Sequence, residues 1–158
     1  CRRHPLTRAL RVGKLTLAAL EETLLVYQRG PDALRELPVY ELLLLGPEEL
    51  QPRAEELMNR LHSDFGDELV IDTVQGHSRV GGGALPLSQL PSVLVSVMAD
   101  GISTAELELR LRKMPEVPLI GRVQNDRFLM DMRTVRREEF ALVAAAFDVA
   151  LERGGGAQ

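Results

Sequence analysis

Two arginines near the start of the chain, Arg8 and Arg11, are the residues best suited to binding chemistry. They are three residues apart, so one helical turn would bring both guanidinium groups to the same side. Two forked donors that converge on one point suit a phosphate-like oxyanion. Residues 1–14 carry five basic side chains and no acidic one, whereas the remainder has 14 of the 19 basic residues against all 23 acidic ones. This contrast favours an anionic ligand, although a solvated terminal segment is the commoner explanation of such a pattern.

Two further arginines, Arg122 and Arg133, lie on opposite arms of a predicted hairpin. Both fall in short, mostly apolar segments, where an arginine is unusual. Binding of a carboxylate is one reason for an arginine there. An ion pair with Asp131 or a nearby glutamate is the structural alternative, and the periodicity does not distinguish the two.

The sequence offers little for other kinds of site. The three histidines show no ligand spacing and Cys1 is the only cysteine, so we predict no metal site and no disulfide. The run Gly81-Gly82-Gly83 could form an anion nest, but a turn is the commoner structure for such a run. No stretch of about 18 apolar residues is present, so we predict no membrane span and expect a cytoplasmic protein.

The elements that must position the arginines alternate between helices and strands. Apolar side chains at three- and four-residue spacing predict helices that begin near residues 14, 47, 103 and 140. Alternating apolar residues predict strands over 68–74, 92–98, 119–123 and 128–132. A tight turn at Asn125-Asp126 joins the last two strands, and a long loop is predicted over residues 76–91. The order predicts an α+β domain, with a small mixed or antiparallel sheet and helices mainly on one face.

Four short stretches follow one another in the order of a known family's motifs. They are LTRALRVGKLTL at 6–17, VGGGALP at 80–86, PLIGRV at 118–123 and LMDMRTV at 129–135. The ordered set resembles bacterial selenocysteine synthase, the L-seryl-tRNA(Sec) selenium transferase family, and it covers nearly the whole chain. One departure is Gly13, because the family usually has an acidic residue at that position.

The resemblance implies the C-terminal part of a fold-type I pyridoxal-phosphate enzyme, with a small domain like that of other fold-type I enzymes. It implies a homo-oligomer that acts on seryl-tRNA(Sec) and takes selenium from selenophosphate, with pyridoxal 5'-phosphate (PLP) as the electron sink. Arg8 and Arg11 match family arginines that bind the selenophosphate oxyanion. Arg122 matches a position that would face the carboxyl end of the substrate, and Arg133 is assigned to substrate binding with it.

The same resemblance implies that the catalytic machinery is incomplete in this chain. The family's Schiff-base lysine precedes the Arg8 and Arg11 block, so Lys14 is not that lysine and we expect no catalytic residue here. Because the chain starts at Cys1, we expect a piece of a longer protein that is inactive alone. Residues 1–30 would be a basic segment and linking helix from the large domain, 31–153 the C-terminal α+β small domain, and 154–158 a disordered tail.

Two other functions are compatible with the sequence. A non-catalytic α+β ligand-binding or regulatory module would share the layout of helices on a sheet, but it gives no reason for Arg8 and Arg11 beside an acidic body. Nucleic-acid binding through residues 1–14 is the other alternative, since five basic side chains could contact phosphates. Tyr27 is the nearest aromatic residue, so base stacking is poorly supported.

Overall fold

The chain forms two compact units, Cys1–Leu44 and Leu45–Gln158. The computed structural model describes residues 4–80 and 89–151. The first unit contains the helices α1 (Leu6–Ala9), α2 (Lys14–Gln28) and α3 (Pro38–Leu43), with a 3-10 helix over Pro31–Glu36. Helix α2 begins where the sequence predicts and ends just before Gly30, whose φ of 98° is one that glycine adopts readily. The predicted division of the chain at residue 30 stays a prediction.

The first unit has little core of its own. No residue of α1, α2 or α3 is buried. The apolar stripe predicted on α2 is 52% exposed at each of three leucines, Leu17, Leu20 and Leu24. Side-chain contacts join its elements: Tyr27 meets Tyr40 edge to face at 5.8 Å between ring centroids, and Arg29 pairs with Glu36 at 2.6 Å.

The second unit has the predicted α+β fold, a four-stranded antiparallel sheet with helices mainly on one face. Its elements, in chain order, are α4 (Pro47–Phe65), β1 (Leu69–Arg79), β2 (Gln89–Ala99), α5 (Thr104–Arg112), β3 (Arg122–Gln124), β4 (Arg127–Asp131) and α6 (Phe140–Ala150). The strand order is β1-β2-β4-β3, so β1 and β3 are the two edges. Among residues 45–80 and 89–151, no helix lies on the opposite face of this sheet, which holds the polar residues described below.

The core of this unit lies between the helices and the covered face of the sheet. Helix α4 contributes three fully buried leucines, spaced seven and four residues apart on one face of the helix: Leu50, Leu57 and Leu61. Alternate residues of β2 are also fully buried: Val93, Val95 and Val97. The Phe147 ring meets Phe65 and Phe128 edge to face, at 6.3 and 6.2 Å between centroids. Each such side chain contributes roughly 1.5–3 kcal/mol through burial.

The helix start predicted near residue 103 and the tight turn predicted at Asn125-Asp126 are both confirmed. The Ser103 hydroxyl accepts a hydrogen bond from the Glu106 backbone N–H at 3.2 Å, which caps α5. Asn125 and Asp126 have φ of 52° and 57°, the left-handed pair that a two-residue hairpin needs between β3 and β4. Local sequence therefore determines where α5 begins and where the chain turns between β3 and β4.

The predicted loop over 76–91 is wrong at both ends, and the strand predicted over 119–123 is too long. Strand β1 runs on to Arg79 and β2 starts at Gln89, with Gly76 opposite Ser92. The backbone hydrogen bonds of this hairpin stabilise the strands by more than the glycine and proline residues over 76–91 disfavour them. Pro91 is tolerated because β4 pairs with β2 only over residues 94–97. β3 begins only at Arg122. The residue before it, Gly121, packs against the Phe128 ring, and a Cβ atom at Gly121 would lie 2.4 Å from that ring.

Candidate functional site

Arg8 and Arg11 lie in and just beyond the one-turn helix α1. Arg8 is the last basic residue of that helix, and the Arg11 backbone N–H donates to the Arg8 carbonyl oxygen at 3.4 Å. The turn therefore closes between them, although the α-helix itself ends at Ala9. Both side chains are exposed, and within the described part of the chain neither forms an ion pair. The guanidinium groups of Arg8 and Arg11 are thus available to bind an anion from solution.

The second unit has a groove of about 580 Å³ on the uncovered face of its sheet. Arg79, Arg122 and Arg127 line it, together with the amide side chains of glutamine and asparagine residues and an apolar floor. Among the described residues that line it, none is acidic and none is a phenylalanine, tyrosine or tryptophan. The groove therefore offers cations and neutral hydrogen-bonding groups to a ligand.

Arg122 lies across this groove rather than out into solvent. It stands on the edge strand β3, yet its Nη1 donates to the His77 carbonyl oxygen of β1, the opposite edge, at 3.4 Å. The sheet must curl for the two edges to approach each other in this way. Gly76 keeps the space open, because a Cβ there would come 2.7 Å from Leu94 and 3.7 Å from the Arg122 guanidinium. Arg122 therefore presents its charge over the floor of the groove.

Arg127 differs from Arg122 because a carboxylate already neutralises it. Its Nη1 donates to Asp72 at 2.5 Å and to the Ser96 hydroxyl at 3.0 Å. Asp72, Ser96 and Leu129 stand in register across three strands, which places these partners side by side on the uncovered face. Arg122 forms no ion pair within residues 4–80 and 89–151, so it carries free positive charge on this face.

Arg133 lies inside the second unit, two residues past the end of β4 rather than on that arm of the hairpin. It is only 4% exposed. Its guanidinium donates to the Ser78 hydroxyl at 3.1 Å, to the Leu45 carbonyl at 2.7 Å and to the Pro91 carbonyl at 2.7 Å. These bonds tie the start of α4 to both strands of the long hairpin.

Asp131 completes this buried polar network. Its two carboxylate oxygens accept from the Ser78 and Ser92 hydroxyls, each at 2.6 Å, and one also accepts from the Arg133 backbone N–H at 3.1 Å. Burial lowers the pKa of Arg133, while the negative charges of Asp131 and Glu49 oppose that shift. Arginine nevertheless stays protonated at neutral pH. The sequence indicated Asp131 as a partner but gave no sign of the two serines, which lie far away along the chain.

Other predicted features either lie outside the described residues or carry no site. The run Gly81-Gly82-Gly83 and the tail at 154–158 lie outside them. No group of three or more histidine, cysteine, aspartate or glutamate side chains that could hold a metal ion occurs among the residues the structure describes. Within the same ranges, no helix combines the length and the apolar character needed to cross a bilayer.

Comparison with known proteins identifies the family. The sequence model of the L-seryl-tRNA selenium transferase family matches residues 1–136, which is most of the chain and includes the four predicted site residues Arg8, Arg11, Arg122 and Arg133. The chain belongs to this family.

Individual relatives agree with the family match. The chain is 44% identical over 145 residues to a protein of Geobacter sulfurreducens named L-seryl-tRNA(Sec) selenium transferase, which covers 92% of this chain and 31% of the relative. A protein of the same name from Nitratidesulfovibrio vulgaris is 44% identical over 95% of this chain, and one from Alkaliphilus oremlandii is 36% identical over 96%. In both cases 32% of the relative is covered. The chain thus spans about a third of the length of these transferases.

The structure groups the four predicted site arginines, Arg8, Arg11, Arg122 and Arg133, differently from the sequence pattern. Arg8 and Arg11 belong to the first unit, whereas Arg122 and Arg133 belong to the second. Within the second unit Arg122 faces the open groove, and Arg133 lies in the buried network. The structure therefore separates two arginines that the hairpin pattern suggested would act alike.

Proposed function

We propose that this chain is the C-terminal part of an enzyme that converts seryl-tRNA(Sec) to selenocysteinyl-tRNA(Sec) with selenophosphate as the selenium donor. The observation that carries the proposal is identity of 36–46% over at least nine-tenths of the chain to proteins named for this transfer. A cytoplasmic homo-oligomer is part of the same proposal. The alternative of a regulatory module has no relative among these matches to support it.

In this proposal Arg8 and Arg11 bind the selenophosphate oxyanion. Both side chains are exposed, no carboxylate of the described residues neutralises them, and the turn between them is closed by a backbone hydrogen bond. Arginine forks suit phosphate-like oxygens because two parallel N–H donors meet two oxygens at once. Their part is to bind and orient the donor so that its selenium meets the serine side chain.

Arg122 and Arg133 would act differently on the substrate. Arg122 faces the open groove, which suits a residue near the carboxyl end of the serine. Arg133 donates to three protein acceptors in the interior, and its buried position favours a role in holding the start of α4 and the long hairpin in place. Any effect of Arg133 on substrate binding would then pass through the shape of the second unit.

PLP is the cofactor that the family resemblance implies, and it would supply the electron sink for loss of the serine hydroxyl. The lysines of this chain do not fit its covalent site. Lys14 and Lys113, the two lysines of the sequence, are both exposed at helix ends, and neither lines the groove. We therefore propose that the cofactor is held by the part of the full-length enzyme outside this chain.

The proposal is tested by measuring selenium transfer from selenophosphate to purified seryl-tRNA(Sec) with the full-length protein. Replacing Arg8 or Arg11 with alanine should lower the transfer rate by on the order of a hundredfold, since a charged contact to an oxyanion is worth about 2–3 kcal/mol. A rise in the selenophosphate concentration needed for half-maximal rate should accompany the loss.

Arg29→Ala is the matched control, because Arg29 is an exposed arginine of the same unit that already pairs with Glu36. Its loss should change stability by at most about 1 kcal/mol and leave the transfer rate near that of the wild type. Wild-type rates in both the Arg8 and the Arg11 variants would contradict their assignment. Absence of transfer by the wild-type protein would contradict the function itself.

A further inference from the structure

Gly76 stands inside a long strand, where glycine is normally disfavoured. Strand β1 has 11 residues, and Gly76 pairs with Ser92 of β2 in unbroken register. A glycine inside a strand lowers stability, because it has no side chain to pack and loses the most backbone freedom on folding. Its φ lies outside the left-handed region, so the backbone conformation does not require glycine there. The remaining reason is space for a neighbour that approaches the backbone closely.

The neighbours that occupy this space lie on the uncovered face of the sheet. A Cβ at Gly76 would come 2.7 Å from Leu94 Cδ1 and 3.7 Å from Arg122 Nη2. Leu94 forms part of the groove floor and is only 3% exposed. Arg122 starts opposite Leu129 on the edge strand β3 and reaches the His77 carbonyl oxygen at 3.4 Å. The guanidinium therefore lies over a floor that is low because residue 76 has no side chain.

A side chain at position 76 would act on Leu94 first. A carbon–carbon separation of 2.7 Å is well below the optimum of about 3.5–4.0 Å, so one of the two atoms must move. The Leu94 atom is the end of a rotatable side chain and gives way more easily than the strand. Ser92 and Ser96, its neighbours along β2 on the same face, are fully buried, so the open space beside Leu94 is the groove. The displaced side chain would raise the floor beneath the Arg122 guanidinium.

Resting on the proposed function, we propose that Gly76 is a positioning residue that holds Arg122 in place for the carboxyl end of the seryl substrate. Gly76 acts through the depth of the groove and does not itself contact the substrate. In an aminoacyl-tRNA the carboxyl group is esterified and carries no negative charge. Its binding to Arg122 then depends on the geometry of the hydrogen bonds rather than on attraction between charges. That geometry is what a Cβ at position 76 would disturb.

The test measures selenium transfer by the full-length protein, with kcat/KM for seryl-tRNA(Sec) and the KM for selenophosphate determined separately. Arg122→Ala should lower kcat/KM for seryl-tRNA(Sec) about tenfold, the effect of one lost hydrogen bond from a charged group. Gly76→Ala should lower it about three- to tenfold, and the KM for selenophosphate should stay at the wild-type value in both variants. Val70→Ala is the matched control, because Val70 lies on the same strand and face, is 50% exposed and does not line the groove.

Two combined variants show whether Gly76 acts through Arg122. In a protein that already carries Arg122→Ala, Gly76→Ala should have little further effect, because no guanidinium is left to position. Leu94→Val added to Gly76→Ala shortens the displaced side chain and should restore most of the lost kcat/KM. Urea unfolding of the 158-residue chain shows whether the fold is affected. The midpoint of Gly76→Ala should stay within about 0.5 M of the wild type, since the end of the Leu94 side chain can move.

The outcomes separate this inference from the function on which it rests. If the wild-type protein transfers selenium and Gly76→Ala has the wild-type kcat/KM, the positioning role is wrong and the function stands. An equal loss with and without the Arg122 guanidinium would show that Gly76 does not act through Arg122 and would also overturn the role. A large fall in the urea midpoint, with no recovery on adding Leu94→Val, would make Gly76 a residue of the fold instead. If the wild-type protein transfers no selenium, the proposed function fails and the positioning role fails with it.

Discussion

Arg133→Met is the substitution for which the structure gives the clearest magnitude. The guanidinium donates to the Ser78 hydroxyl and to the Leu45 and Pro91 carbonyls, and its departure leaves these two carbonyls without this donor in a site where Arg133 is only 4% exposed. Charged hydrogen bonds contribute about 1.5–3 kcal/mol each, but they are not additive, and the methionine side chain recovers some apolar packing. Removing one partner of a buried charged network typically costs about 3–5 kcal/mol. We expect a loss of that size.

The assay is urea unfolding of the 158-residue chain, followed by circular dichroism. With a slope of about 2 kcal/mol per molar urea, the midpoint should fall by roughly 1.5–2.5 M. Arg122→Met is the matched control, because that side chain is exposed and makes one long hydrogen bond, so its free energy of unfolding should change by less than about 0.5 kcal/mol. An Arg133 variant as stable as the Arg122 variant would refute the structural role and return Arg133 to the substrate-facing residues.

Two further predictions concern the scaffold that carries the groove. Phe147→Ala should lower the free energy of unfolding by about 3–5 kcal/mol, because the ring is fully buried between Phe65 and Phe128. Leu142→Ala on the same helix is the control, since Leu142 is 48% exposed. Equal stability of the two variants in urea would contradict the packing. Ser103→Ala should cost about 1 kcal/mol through loss of the cap on α5. Thermal unfolding measures it, and a stability unchanged from wild type would show that the hydroxyl does not cap the helix.

Local patterns in the sequence were enough to predict α2, α4, α5, α6 and the short hairpin, but not α3. The period of the leucines on α4 and the capping serine of α5 depend only on neighbours within a few residues. The turn at Asn125 and Asp126 depends only on two residues that tolerate positive φ. These features follow from the backbone and from burial on one face, so they can be read without knowledge of the tertiary structure.

The polar network and the groove could not be predicted because they depend on partners far apart along the chain. Ser78 is 53 residues from Asp131, and Arg122 is 45 residues from His77. The antiparallel pairing and the curl of the sheet bring them together, and neither has a local signal in the sequence. For the same reason Arg122 and Arg133 looked alike in the hairpin pattern, although one is exposed and the other buried.

The most direct test of the account is selenium transfer by the full-length protein that contains this chain. Purified protein, seryl-tRNA(Sec) and selenophosphate are mixed, and the aminoacyl product is analysed for selenocysteine. We predict selenocysteinyl-tRNA(Sec) from the wild-type protein and from Arg29→Ala, with the product strongly reduced when Arg8 and Arg11 are both replaced by alanine. Seryl-tRNA(Sec) that remains unchanged with the wild-type protein would contradict the proposed function.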